Sequence, residues 1–357
     1  MEQLKGLILS GGRGTRLRPI TYTSAKQLVP VANKPVLFYG IEAMAEAGIR
    51  EIGIIIAPET GGEIRTAAGD GERFGVEITY IEQEAPLGLA HAVLAAEPYL
   101  GDSPFVMYLG DNLLRNGITD LVEAFRNDAP DALILLTPVS DPENYGVAEL
   151  NGDGVGRLVE KPTDPKTNLA LVGVYMFNPS VFEAARAIEP SARGELEITD
   201  AIQALVDGGS RVDPHIVHGW WKDTGQVQDM LEANRLILDD LEERLDGEMV
   251  DSRVEGRVAI AAGAKIERST VRGPAVIGTG AQVRDAYIGP YTALGEGVTI
   301  DRAELEHSIV LAGSTVRDLE HRIEASLIGR DVTIGRGPTL PKAYRFVVGD
   351  SSEISIL

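Results

Sequence analysis

The chain has 357 residues, 33 basic and 54 acidic, a formal net charge of −21, and no cysteine. At about 100–200 residues per domain, this length predicts two domains, or one large domain with an appendage. The acidic balance excludes a general nucleic-acid or anionic-membrane surface, since both need a cationic face; the lack of cysteine excludes a disulfide framework and a thiolate metal site.

The charge is uneven. Residues 1–34 hold Lys5, Arg13, Arg16, Arg18, Lys26 and Lys34 against Glu2, a local +5 that leaves −26 on the remainder. A cationic, Gly-rich N-terminus on an anionic body predicts a site for a small polyanion. The apolar run Gly6–Ser10 is shorter than a signal-peptide core, and no stretch approaches the roughly 18–20 apolar residues that span a bilayer. A soluble, cytoplasmic protein is expected.

Taken in chain order, Leu4–Leu9 predicts a buried strand ending at glycines, and Pro35–Ala47 a helix closed by Gly48. Glu51–Ala57 predicts a strand, Gly62–Gly69 a helix, Val76–Glu82 a strand, Leu87–Ala96 a helix, and Pro104–Leu109 and Ala132–Pro138 further strands. This alternation of continuous apolar strands with helices predicts an α/β domain with a mostly parallel, Rossmann-like sheet covered on both faces. Ligands bind beyond the strand C-termini of such sheets, where the loop after Leu9 and the pair Gly110-Asp111 fall. Gln226–Asp246 predicts an amphipathic connecting helix, and the acid-rich residues 236–256 read as solvated.

From about residue 250 the pattern changes. Ile260, Ile277, Leu294, Leu311 and Ile328 recur every 17 residues, each followed by Ala or Gly. Six residues on lie Ile266, Val283, Ile300 and Ile334, with a slip to Val316; eleven on lie Val271, Ile288 and Leu305, with a second slip to Ile323. This spacing predicts a left-handed parallel β-helix whose coils bury their core by stacking. The expected domains are residues 1–240 and residues 241–357, the second comprising the β-helix and a C-terminal tail.

The chemistry-bearing motif is Leu9-Ser10-Gly11-Gly12-Arg13-Gly14-Thr15-Arg16-Leu17. Glycines after a strand let backbone N–H groups approach phosphate oxygens, and Arg16 adds a planar cationic donor. A Walker A loop is excluded because Gly14 is followed by Thr-Arg rather than Lys-Ser/Thr, and a Rossmann fingerprint because Leu17 stands where the third glycine would be. The continuation Arg18-Pro19 and SAKQLVPVANKP completes a pattern that resembles the sugar-1-phosphate nucleotidylyltransferases, with their GGxGTRLxP…K…P…KP signature. SAKQLVPVANKPVLFYG is most similar to the glucose-1-phosphate thymidylyltransferase branch, in the long form with a C-terminal β-helix. The resemblance covers essentially the whole chain.

The resemblance implies roles for named residues. Leu9, Gly11, Gly12, Gly14, Thr15, Arg16, Gln83, Pro86, Gly88 and Asp111 would bind the nucleotide, and the Gln83 amide suits an imide edge such as thymine's. Asn112, Tyr145, Gly146, Glu160, Lys161, Leu171, Tyr175 and Trp221 would bind the sugar phosphate. Leu171 stands where short-form relatives tend to carry valine. Glu195–Asp200 matches a family segment near the sugar pocket, although these residues fit a helix N-cap at Thr199 or Asp200 equally well. Asp111, and Asp223 in a Trp-x-Asp-Thr-Gly segment, would hold Mg2+, which prefers oxygen ligands.

The implied reaction is attack of a sugar-1-phosphate oxygen on the α-phosphorus of dTTP, with pyrophosphate leaving. Arg16, Lys26 and Lys161 are the expected catalytic cations, because such transfers depend on positioning and charge neutralisation. UTP or another nucleoside triphosphate, and other hexose 1-phosphates, stay open. Two further readings compete: a bifunctional enzyme with an acyltransferase on the β-helix, where only His307 and His321 are candidates, and a non-catalytic relative. The expected partners are small-molecule substrates, dTTP and a sugar 1-phosphate, together with further copies of the chain in a homo-oligomer.

Overall fold

The structure, a computed structural model, describes residues 3–152, 154–336 and 348–355. Residues 337–347 of the expected tail lie outside the described residues.

After Lys5, strand β1 (Lys5–Leu9) is apolar and buried because both its faces are covered. Leu7 and Leu9 join one core with Ile55, Val93, Phe105 and Met107, while Ile8 joins another with Ile41, Met44, Ile54 and Tyr108. There follow a short hairpin, β2 (Pro30–Val31) and β3 (Lys34–Pro35), then α1 (Val36–Glu46), β4 (Glu51–Ile56), α2 (Gly61–Ala68), β5 (Glu77–Glu82), α3 (Leu89–Leu100) and β6 (Phe105–Leu109). Strands β4 and β6 flank β1 in parallel register, and β5 lies beyond β4. The chain therefore builds outward on one side of β1 and then returns to its other side. Connections diverge at such a reversal and leave a crevice beyond the C-terminal ends of β1 and β6.

After β6 the expected parallel alternation gives way to a mixed sheet. The elements are β7 (Asn112–Leu114), α4 (Thr119–Asp128), β8 (Ala132–Pro138), β9 (Gly146–Asn151), β10 (Gly154–Glu160), β11 (Leu169–Phe177), α5 (Ser180–Ala187), α6 (Ile198–Asp207), β12 (Val212–Ile216) and β13 (Trp221–Asp223). Strand β11 runs antiparallel to β6, β8 and β9, whereas β12 runs parallel to β8. Among the described residues the sheet has nine strands, ordered β10-β9-β11-β6-β1-β4-β5, with β8 between β11 and β12. A continuous apolar run reports burial on two faces and not strand direction, which is why β8 read like its parallel neighbours. Strands β7 and β13 form a separate antiparallel ribbon with Asn112 opposite Asp223.

By contacts the chain forms two units. The first holds the described residues up to Arg13, Ser24–Leu28 and Val36–Asp223; the second holds Gly14–Thr23, Val29–Pro35 and the described residues from Thr224 onward. The chain thus changes unit four times between Arg13 and Val36.

In the second unit, α7 spans Val227–Asp239 and stops short of the expected Asp246. Asp239, Asp240, Glu242 and Glu243 crowd its C-terminal end, where the helix dipole disfavours negative charge. Arg244–Leu245 is instead captured by the first solenoid sheet, paired with Ala259–Ile260. The described strands from Arg244 to Gly335 form three parallel sheets. Ile260, Ile277 and Leu294 stack as expected, but the next member of the column is Val310 rather than Leu311. The corner before it, around His307, is one residue shorter than the corner at Gly289-Pro290-Tyr291. Val316 and Ile323 take the positions expected after the slips. The loop between Arg317 and Ile323 is two residues longer than its predecessor and carries His321.

One solenoid corner places Asp251, Arg268, Asp285, Arg302 and Asp318 in succession at positive φ, with alternating sign. Arg268 donates to Asp285 at 2.8 and 2.7 Å, and Arg302 to Asp318 at 2.7 Å. A neighbouring position ties coils by hydroxyls: Ser269 donates to the Glu267 carbonyl (2.7 Å) and accepts from the Ala286 N–H (3.1 Å). Among the described residues no helix is long and apolar enough to cross a membrane.

Ser269 is buried, so Ser269→Ala strands the Ala286 N–H without an acceptor. We expect a loss of about 1–3 kcal/mol in the denaturant-induced unfolding of the second unit, with the far-UV spectrum of the native protein unchanged. A midpoint equal to wild type would show that water replaces the hydroxyl.

Candidate active site

Beyond the C-terminal ends of β1 and β6 a chain of contacts can be followed residue by residue, all within the first unit. It starts where β1 ends. The Gly110 N–H donates to the Leu9 carbonyl (3.0 Å), holding the ends of β1 and β6 together. A Cβ on Gly12 would lie 3.0 Å from Lys26 Cε, and one on Gly11 would lie 3.3 Å from Gln83 Oε1. The glycines therefore let the loop run between a cation on one side and an amide on the other.

Lys26 sits in a short 3-10 turn, Lys26–Leu28, and forms an ion pair with Asp111 Oδ2. Asp111 is buried at the end of β6. Burial pushes its carboxyl up, but the Lys26 ammonium and the hydrogen bonds from Lys26 and Asn112 outweigh burial and hold it below the usual carboxylate range. Asn112 completes the arrangement. Its Nδ2 donates to Asp111 Oδ1 (3.1 Å), and its Oδ1 accepts from Trp221 Nε1 (2.6 Å) and the Gly173 N–H (3.3 Å). The Asn112 amide is thus used in orienting Asp111 and Trp221. Trp221 in turn meets Tyr145 edge-on, with centroids 5.5 Å apart.

Tyr145 leads to the far wall. Its carbonyl accepts from the Lys161 N–H (3.0 Å); Lys161 is exposed and in the left-handed region at φ 43°. Glu160 pairs with Gly146 across β9 and β10. Gly146 is required for space: a Cβ there would lie 2.9 Å from Glu160 Oε2 and 3.2 Å from Thr199 Oγ1. Thr199 donates to Glu160 Oε2 (2.6 Å), and Arg193 donates to Glu160 Oε1 (3.0 Å) and Glu197 Oε1 (2.9 Å). The N-cap of α6 is Glu197, so Thr199 and Asp200 lie in its first turn and neither is the cap. Burial, then the Glu197 and Glu160 carboxylates, push Asp200 up. Tyr175 is pushed up by burial and then by Glu160. Arg193 and Glu197 were not singled out as individual residues from the sequence. The family segment Glu195–Asp200 contains Glu197, whereas Arg193 lies just before it and had no signal in the sequence.

The walls meet at Gly88. Its φ is 105°, and any Cβ would fall well inside contact distance of the Leu196 backbone, which bonds the loop from both sides (Leu196 N–H to the Leu87 carbonyl, 2.8 Å; Ala90 N–H to the Leu196 carbonyl, 3.1 Å). Gln83, buried, donates from Nε2 to the Gly88 carbonyl (3.2 Å) and faces His91 Nδ1 (2.9 Å). Helix α3 begins at Leu89, two residues later than expected, because Gly88 sits at φ 105° and ψ 170°, outside the helical region.

Not every expected residue joins this chain. Pro86 is exposed on the loop before Gly88, and Leu171 is buried in β11 opposite Leu136. Gly14, Thr15 and Arg16 belong to the second unit, where Thr15–Leu17 forms a 3-10 turn and Arg16 is exposed. On the solenoid, His307 packs edge-on to Tyr291 and His321 is exposed.

The donor chemistry fits a hard divalent cation. Asp111 adjoins Asn112, which faces Asp223 across the ribbon, so two carboxylates stand at neighbouring backbone positions with no nitrogen or sulfur donor required. Among the described residues no group of three or more His, Cys, Asp or Glu forms a closed metal cage.

Residues 5–240 match the nucleotidyl transferase family model. The glucose-1-phosphate thymidylyltransferase of Streptomyces antibioticus is 56% identical over 356 residues, covering 99% of each chain, and that of Streptomyces griseus is 53% identical with the same coverage. A crystal structure from Bacillus anthracis, provisionally assigned as a glucose-1-phosphate thymidylyltransferase and holding sucrose, superimposes with a TM-score of 0.63 at 36% identity, covering 68% of this chain and 98% of that one. A family match through residue 240, together with relatives identical at more than half their positions along both full lengths, makes the chain a member of the nucleotidyl transferase family and an enzyme of that class.

Proposed function

We propose that the enzyme joins dTTP and glucose 1-phosphate to give dTDP-glucose and pyrophosphate. The observation that carries this reading is the buried Lys26–Asp111 pair at the end of β6 beside the Gly-rich loop, with a second polar wall of Glu160, Thr199 and Arg193. It puts cations and hydrogen-bonding groups on two sides of one crevice, as a reaction between two phosphates requires.

On this reading Gly11 and Gly12 present backbone to the triphosphate, and Arg16 and Lys26 neutralise the leaving pyrophosphate. Gln83 Nε2 is held by the Gly88 carbonyl and His91, so Oε1 is the atom suited to accept the N3–H of an imide base. Glu160 and Thr199 bond sugar hydroxyls, Lys161 and Arg193 neutralise the sugar's phosphate, and Tyr145 and Trp221 support the sugar face. The attacking oxygen is already anionic near neutral pH, so no strong base is needed. Asp111 and Asp223 would hold Mg2+, which when bound would neutralise charge on the α-phosphate. The end of the family match at residue 240 supports a boundary there between catalytic domain and β-helix.

The N3–H is common to thymine and uracil, so the choice of dTTP rests on the names of the relatives. Pyrophosphate release measured across dTTP, UTP, ATP, CTP and GTP with several hexose 1-phosphates should be fastest for dTTP with glucose 1-phosphate. A faster UTP reaction would replace the nucleotide assignment, and consumption of acetyl-CoA would revive the acyltransferase reading.

Lys26→Ala should lower kcat by at least about 100-fold. The variant also leaves the buried Asp111 carboxylate without its ammonium, which costs several kcal/mol unless the group takes up a proton. Circular dichroism therefore accompanies the kinetics, and a folded variant with near-wild-type turnover would refute the role. Gly88→Ala should displace Leu196 or the Gln83 loop and reduce kcat/KM for the nucleotide at least about tenfold, since misplacing a binding group by an ångström is costly. Unchanged kinetics would detach Gly88 from the site.

A further inference from the structure

The structure assigns to Glu63 a positioning role in nucleotidyl transfer: its carboxylate clamps the two residues before Lys26 and so sets where that side chain is rooted. This inference rests on the role proposed for Lys26.

The observations all lie within the first unit, which holds Ser24–Leu28 and Glu63 together with Asp111. Glu63 is on the first turn of α2, in the sequence Thr60-Gly61-Gly62-Glu63. That spacing reads as a capping box, in which the threonine hydroxyl and the glutamate carboxylate each take up a free backbone N–H of the helix end. The structure uses the pair differently. Thr60 is the N-cap residue but makes no side-chain cap bond. Glu63 turns to another segment: Oε1 accepts from Ser24 Oγ (2.6 Å), and Oε2 accepts from the Ala25 N–H (2.7 Å). Gly61 lets the helix start close against β4, since a Cβ there would lie 2.7 Å from Ile56 Cδ1.

The clamp fixes what burial leaves free. Ala25 and Leu28 share a core with Ile41, Ile56 and Ile64, which holds the stretch down. Apolar burial is non-directional, however, and does not orient a peptide group. The carboxylate orients the Ala25 N–H, and the Ala25 carbonyl accepts from the Leu28 N–H (2.9 Å), closing the 3-10 turn that carries Lys26. Both peptide groups flanking Ala25 are thus held, and the second contains the Lys26 backbone nitrogen. Lysine is a point charge on a flexible stem, so the reach of its ammonium depends on where the stem begins. From this root Lys26 meets Asp111. Bonds to a carboxylate are stronger than neutral ones, which suits a clamp.

The test uses the full chain and follows pyrophosphate release from dTTP and glucose 1-phosphate. Glu63→Ala removes both acceptors and should lower kcat about 10- to 100-fold, as a displacement of about an ångström at the reacting groups would. KM for glucose 1-phosphate should stay within error of wild type. Glu63→Gln, whose amide can accept from the Ala25 N–H and donate to Ser24 Oγ, should recover most of the loss. Ser24→Ala removes one bond of the two and should fall between wild type and Glu63→Ala. A merely structural contact would lower the melting temperature of Glu63→Ala and leave kcat of the folded enzyme unchanged, and that result overturns the proposal. Should Glu63→Ala fail to fold, Ser24→Ala carries the test, and a kcat equal to wild type overturns it. The double variant reads the route. Because Glu63 acts through Lys26, adding Glu63→Ala to Lys26→Ala should lower kcat no further, whereas losses that multiply would show a separate effect and defeat the proposal. Lys26→Ala alone tests the underlying reading: near-wild-type turnover there defeats the Lys26 assignment, whatever Glu63→Ala does.

Discussion

The catalytic unit turns on one buried attraction, that between Lys26 and Asp111. Removing two opposite charges from water is costly, and their mutual attraction offsets that cost only when the remaining polar atoms are also satisfied. The Asn112 amide meets this condition for the carboxylate, and Trp221 and Gly173 meet it for the amide. The consequence is a carboxylate held ionised at the end of a central strand, at the reversal of strand order where a crevice must form. On the proposed reading, a triphosphate entering that crevice would compete with Asp111 for the Lys26 ammonium. The carboxylate would then need another cation, and a divalent one suits its oxygen donors. The ion pair would on that reading be the substrate-free form of a charge-balanced exchange.

The sequence carried much of this, but unevenly. Strand β1, the loop after it and the pair Gly110-Asp111 were legible because burial on two faces forces an apolar run and a phosphate loop forces glycines. The solenoid was legible because identical coils must repeat their inward aliphatics. Strand direction was not legible: β8 and β11 are as apolar as β1, and nothing in an apolar run says which way it points. Nor was the Val310 register, since Leu311 is also aliphatic and buried, and only the shortened corner at His307 shifts the pairing.

In the candidate site, the residues legible in the sequence were those with a local pattern, such as Asp111 after a glycine at a strand end. Those harder to find act through space. Arg193 reaches Glu160 across 33 positions. Gly146 and Gly88 were named through the family resemblance, but why each must be glycine is visible only from the atoms that occupy the missing side-chain space. Such requirements lie in the partner, Glu160 in one case and the Leu196 backbone in the other, and a one-dimensional pattern does not report a partner.

A chain of net charge −21 that binds two polyanions poses an electrostatic question, which the arrangement of pairs answers. Much of the solenoid's charge is matched locally, with Arg268 on Asp285, Arg302 on Asp318, Arg284 on Glu267 and Arg272 on Glu255. Exposed charges are in any case screened beyond about 8 Å at physiological salt. What a phosphate meets is therefore set by the few groups within that distance, and the net charge is a poor guide. On the wall of Glu160 and Thr199, Arg193 is already shared among Glu160, Glu195 and Glu197. On the proposed reading, a phosphate arriving there would draw on Arg193 against these acids, or rely on exposed Lys161. Sugar hydroxyls and sugar phosphate would then not be recognised independently, because a hydroxyl on Glu160 would replace one of the carboxylate contacts of the guanidinium and leave those to Glu195 and Glu197.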